Sequence, residues 1–162
     1  MKDPYVFDFI QLREKMLERD IEEALIKDVT KLLLELGTGF AFLGNQYRLN
    51  IGGEDFYIDL LFYNLNLRCY VVIELKTGEF KPEYVGQLNF YLSAVDGVLK
   101  NENDNSTIGL LLCKTKNDLV AEYSLKDVSK PIGVSEYQVT NSLSGELGKQ
   151  LPSIEDIQRR IK

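Results

Sequence analysis

Apolar and polar positions along this chain alternate with two different periods. Between residues 20 and 36, Ile21, Leu25, Val29, Leu32 and Leu36 recur at helical spacing, and the pattern predicts a helix capped by Asp20 and stopped by Gly37. Glycines at 37, 39 and 44 then lead into three extended segments, 40–51, 55–64 and 68–76, joined by turns at Gly52-Gly53 and Asn64-Leu-Asn66. Pro82 opens a second helix over 82–98, and the polar loop 101–106 follows it. The unbroken apolar run from Thr107 to Cys113 reads as a strand covered on both faces. Residues 116–127 read as helical, 131–139 as extended, and 153–161 as a terminal helix after Pro152. The order α-β-β-β-α-β-α-β predicts an α/β fold, a mixed sheet flanked by helices.

Two of these strands carry ionisable residues where a buried sheet should have none. One reads Asp55-Phe-Tyr-Ile-Asp59-Leu-Leu-Phe62, the other Cys69-Tyr-Val-Val-Ile-Glu74-Leu-Lys76. Side chains alternate along a strand, so Glu74 and Lys76 project to one side and Val71, Ile73 and Leu75 to the other. The same alternation places Asp59 with Tyr57 and Leu61, and sets Phe56, Ile58, Leu60 and Phe62 on the opposite face. A carboxylate in such surroundings costs several kcal/mol unless a cation, a metal or hydrogen bonds compensate it. For Asp59 the plainer reading is a structural ion pair with Arg48 or Arg68; for Glu74 and Lys76 it is a surface pair on an edge strand. The sharper reading is a hard-metal phosphodiesterase site, in which Asp59 and Glu74 hold Mg²⁺ or Mn²⁺ and Lys76 orients water or offsets phosphoryl charge.

Two helices add candidates. Glu22 lies about 40° from the centre of the first helix's apolar face, whereas Glu23 lies about 140° away. Glu22 is thus a candidate ligand or water-positioning group, with a solvated edge carboxylate as the alternative. Gln87 and Tyr91, four residues apart, share one face of the second helix and would flank the site as substrate-positioning residues.

Composition narrows the chemistry. The chain of 162 residues contains no histidine, so any hydrolysis must run on carboxylates, Lys, Tyr, Ser or an oxygen-bound metal. The formal net charge of -6 speaks mildly against a surface built for nucleic-acid backbone, although a metal neutralises an acidic site locally. Cys69 and Cys113 both fall in apolar strands and read as buried thiols of a reducing, cytoplasmic setting. Neither a signal peptide nor a membrane span is legible. A single domain over 1–162 is expected, with an N-terminal arm at 1–19, a catalytic core at 20–113 and additions at 114–162.

With these residues assembled, the chain resembles the PD-(D/E)XK nuclease superfamily, whose fold is restriction-endonuclease-like. Asp59 followed by Glu74-Leu-Lys76 resembles its core motif, with Ile58 standing where the naming proline would be. Glu22 and Gln87-xxx-Tyr91 resemble its RecB-like and junction-resolvase branches. The runs from Glu35 to Tyr47, Phe56 to Tyr63, Val72 to Gly78, Asn89 to Leu92 and Ser129 to Tyr137 are similar to the bacterial YhcG-like group. The resemblance implies an α-β-β-β-α-β core and a metal-dependent DNA hydrolase that acts on branched or foreign DNA. Its metal would be bound by Asp59, Glu74 and the Leu75 carbonyl, and a separate N-terminal domain would belong to a longer chain. A homodimer is compatible with the resemblance. So is a non-catalytic domain that keeps the fold to bind nucleic acid or protein.

Overall fold

The computed structural model describes residues 7–11, 23–24, 26–31, 34, 39–137 and 139–140. Strand β1 (Phe7–Gln11) comes first, then helical residues, here α1, at 23–24, 26–31 and 34. The centre of the chain is a meander of β2 (Phe40–Ile51), β3 (Glu54–Asn64) and β4 (Cys69–Glu79). Helix α2 (Pro82–Val98) crosses over to β5 (Ile108–Thr115), and α3 (Asp118–Leu125) to β6 (Ile132–Glu136); β7 (Val139–Thr140) follows.

The main sheet runs β2-β3-β4-β5-β6. Its first three strands pair antiparallel, and β4, β5 and β6 pair parallel, which requires the two helical crossovers. Gly52 and Gly53 turn the β2–β3 hairpin with φ of 62° and 85°, the doubly positive geometry of a two-residue hairpin turn. Pro82 stands at the start of α2, where its missing N–H costs nothing. The Asn117 side chain caps α3 by accepting from the Leu119 and Val120 amides.

Both faces of the sheet are covered. Toward α1 lie Leu60, Phe62, Val71, Ile73, Leu110 and Leu112 against Val29. Toward α2 and α3 lie Leu61, Val72, Leu111 and Val134 against Val85, Leu88, Leu92, Val95 and Ala121. This accounts for the unbroken apolar sequence of β5, which is flanked by β4 and β6 and buried on both sides.

Where the described residues cover them the expected elements stand, with α2 at its expected bounds and β4 running three residues past its expected end. Two features differ. Part of the N-terminal arm forms β1, which pairs in parallel with β7 as a separate two-stranded sheet. The extended segment expected at 131–139 divides into β6 in the main sheet and β7 in this small one. The expected cap at Asp20, the stop at Gly37 and the helix at 153–161 lie outside the described residues. Among the described residues, no helix is long and apolar enough to cross a membrane.

Candidate active site

The site forms where the β3–β4 ladder ends. Backbone pairing runs from Asn64–Cys69 to Leu60–Ile73 and stops one step before Asp59 and Glu74. Beyond that point the two carboxylates take over the strands' hydrogen bonding. The Asp59 amide donates to Glu74 Oε2 at 2.8 Å, and the Leu75 amide donates to Asp59 Oδ2 at 2.8 Å. Each acid therefore grips the backbone beside the other, and a hydrogen bond to a charged group contributes about 1.5–3 kcal/mol. Both acids are thereby held side by side with Glu74 only 3% exposed.

Asp59 does not follow the strict alternation expected of its strand. Phe56 and Ile58 pack on the α2 side together with Leu61, while Leu60 and Phe62 pack on the α1 side. The change of face falls across Asp59. The partner strand changes with it: Tyr47, opposite Ile58, and Leu49 lie on the α2 side, whereas Asn45, opposite Leu60, lies with Ile26, Lys27 and Thr30 on the α1 side. Between them, facing Asp59, Gln46 adopts a left-handed φ of 48°. A residue bearing a Cβ resists that conformation by about 1–2 kcal/mol. Its Nε2 donates to Asp59 Oδ1 at 3.0 Å. The Arg48 alternative is not realised, since Arg48 pairs with Asp55 at 3.4 Å.

Lys76 shares the Glu74 face, as expected, and points toward α2. Its Nζ donates to Gln87 Oε1 at 3.2 Å and stands 4.5 Å from the centroid of the Tyr84 ring. Gln87 Nε2 in turn donates to the Tyr91 hydroxyl at 3.4 Å. The Lys76 carbonyl accepts from the Tyr137 hydroxyl at 2.9 Å, which ties the end of β4 to the chain just beyond β6. Asp59 and Glu74 thus form one hydrogen-bonded pair and Lys76, Gln87 and Tyr91 a second chain, close enough that the Lys76 charge acts on Asp59 and the Glu74 charge on Tyr91. Glu22 lies outside the described residues; Glu23 is exposed.

Electrostatics agree with a site prepared for positive charge. Burial pushes the Asp59 carboxyl up, and the Leu75 amide, the Gln46 amide and the Lys76 charge pull it back. Burial, and next the Glu74 carboxylate, push the Tyr91 phenol up, which keeps it a neutral hydroxyl beside the acids. The donors available to a metal are carboxylate and carbonyl oxygens, the set that suits Mg²⁺ or Mn²⁺ rather than a soft ion. Among the described residues Asp59 and Glu74 are a pair, and no third Asp, Glu, His or Cys joins them to form a metal-holding group. Mg²⁺ commonly takes one or two carboxylates and completes its shell with water and phosphate, so the pair fits that ion.

Three partners of the site were not singled out from sequence: Gln46, Tyr84 and Tyr137. Gln46 had a usable signal, because counting back from the two-residue Gly52-Gly53 turn sets it across from Asp59. Tyr84 lies one helical turn before Gln87. No local pattern marks Tyr137, whose contact joins residues 61 positions apart.

Residues 1–152 match the family model described as YhcG PDDEXK nuclease domain. The chain is 37% identical over 164 residues to "Putative nuclease YhcG" of Escherichia coli (strain K12), covering 99% of this chain and 44% of that protein. It thus spans less than half the length of this relative. Among solved structures, likeness extends to the crystal structure of a repair endonuclease from Pyrococcus abyssi, at 17% identity and a TM-score of 0.46, covering 82% of this chain and 50% of that one. It extends also to the structure of EndoMS in apo form, at 19% identity and a TM-score of 0.45, covering 82% and 49%.

Proposed function

The chain belongs to the YhcG PDDEXK nuclease family, and from that membership together with its site geometry we propose that it is a divalent-metal-dependent deoxyribonuclease hydrolysing phosphodiester bonds. The observation that carries the proposal is the interlocking of Asp59 and Glu74 at the end of the β3–β4 ladder, with the Lys76 ammonium on the same face. Asp59, Glu74 and the Leu75 carbonyl would hold Mg²⁺ or Mn²⁺. Bound there, the ion supplies Lewis-acid polarisation of the phosphoryl oxygens.

The remaining work falls to the chain's own groups. Lys76 offers its ammonium to the phosphoryl oxygens, where negative charge builds in the transition state. Gln87 and the Tyr84 ring hold that ammonium in one place, so it need not reorganise as charge develops. Tyr91 fixes the Gln87 amide from behind. Glu22 belongs to the proposal on the angular argument of its helix alone, as a group that positions the attacking water. The net charge of -6 fits a nuclease whose grip on DNA comes from elsewhere, and we assign that role to a further domain of a longer protein.

The test compares the wild-type chain with Asp59→Ala on duplex, single-stranded and branched DNA in Mg²⁺ or Mn²⁺. Metal-dependent cleavage that disappears in the variant is the expected result. Equal cleavage by both proteins would place the chemistry elsewhere. Binding of DNA without cleavage in any metal would point instead to a non-catalytic binding domain.

A further inference from the structure

Gln46 occupies a position that the core does not explain. Three non-glycine residues have positive φ among the described residues, Gln46, Arg68 and Asp127, and only Gln46 sits inside a strand. Its side chain is exposed, so no apolar packing compensates the unfavourable backbone. What the conformation achieves is aim: β2 and β3 change faces together at this step, and the amide arrives on Asp59 Oδ1 at 3.0 Å. The other oxygen of the same carboxylate accepts from the Leu75 amide at 2.8 Å. One neutral donor from each neighbouring strand therefore sits on each oxygen, and the carboxylate plane loses its freedom to rotate.

We infer that Gln46 is a positioning residue for a divalent cation, acting through Asp59 by setting the direction of the lone pairs that the carboxylate retains. The inference rests on the proposed metal-dependent reading and adds to it the group that orients the ligand. A carboxylate has about four acceptor sites, and two donors leave the rest for the cation. Groups that orient a metal ligand typically change metal affinity by about 10–100-fold when removed.

Glycine separates the side chain from the backbone, because it adopts a left-handed φ without penalty. Gln46→Gly should keep a cooperative thermal melt, yet its calorimetric dissociation constant for Mg²⁺ should rise by about 10-fold or more. Gln46→Asn, which tolerates the same backbone but is one methylene shorter, should show the same weakening. Metal affinity equal to wild type in both variants would overturn the inference and leave the nuclease reading standing. A lowered melting temperature with unchanged Mg²⁺ affinity would likewise overturn it, showing a purely structural bond. Failure of the wild-type chain itself to bind Mg²⁺ would overturn the metal reading and this inference with it.

Discussion

Gly109 of β5 lies against Leu88 of α2, and Gly109→Ala tests whether that close packing holds the site together. A Cβ at Gly109 would stand 3.1 Å from Leu88 Cδ2, 3.1 Å from Leu88 Cγ and 3.2 Å from Leu88 Cδ1. Leu88 is fully buried and packed among Leu92, Val95 and Leu111, so it has no open side toward which to yield. Gly109 is held in turn between Val72 and Ile132 of the neighbouring strands. Overpacking of this kind costs about 1–3 kcal/mol. Alanine returns roughly 0.4–1 kcal/mol by restricting the unfolded chain. The net loss of about 1–2 kcal/mol corresponds to a melting temperature lower by about 2–8 °C for a chain of this size. Because Leu88 adjoins Gln87, displacing α2 by a few tenths of an ångström also lengthens the 3.2 Å bond to Lys76. Cleavage should therefore fall further than the unfolded fraction explains. Thermal melts of Gly109→Ala, Leu88→Val and the double variant should show a coupled pair, the second change relieving part of the first. An unchanged or raised melting temperature for Gly109→Ala would refute the packing argument.

Other outcomes follow from the same structure. Burial raises the Asp59 carboxyl above its value of 3.8, so the folded state favours the protonated form. Its contribution to stability is present below 3.8 and is lost as pH rises through the folded value. In chelator, the melting temperature of Asp59→Asn relative to wild type should therefore climb from about pH 4 to about pH 7; a constant difference would contradict the burial argument. Lys76→Met should slow cleavage by about 10²–10³-fold while Mg²⁺ affinity, read by calorimetry, holds or improves. Burial pushes the Cys69 thiol up to about 11 and the Cys113 thiol up to about 12. Neither thiol should react with Ellman's reagent at pH 8 in the native protein, and both should react in denaturant.

Much of this architecture is local, and local patterns recorded it. The helix from Pro82 to Val98 is bounded by a proline whose φ suits a helix start and by a polar loop. The β5 run is apolar throughout because both its faces are covered. Asp59, Glu74 and Lys76 stand out in sequence because a charge inside an apolar strand needs a reason. Gln87 and Tyr91 were reachable because helical spacing puts them on one face.

What the chain alone could not show are the features that depend on a partner distant in sequence. Strict alternation set Asp59 with Leu61 and Ile58 with Leu60, yet the strand changes face at Asp59 because β2 makes the same change at Gln46 across the hairpin. A period of two describes one strand with its own backbone; it carries no information about a twist shared by two. The pairing of β1 with β7 joins segments more than 120 residues apart, where no local propensity reports the match. The sequence by itself determined which residues carry charge into the sheet and which elements bear them. Only the tertiary structure decided that two of those charges complete each other's backbone hydrogen bonds, because that arrangement exists solely where the β3–β4 ladder stops.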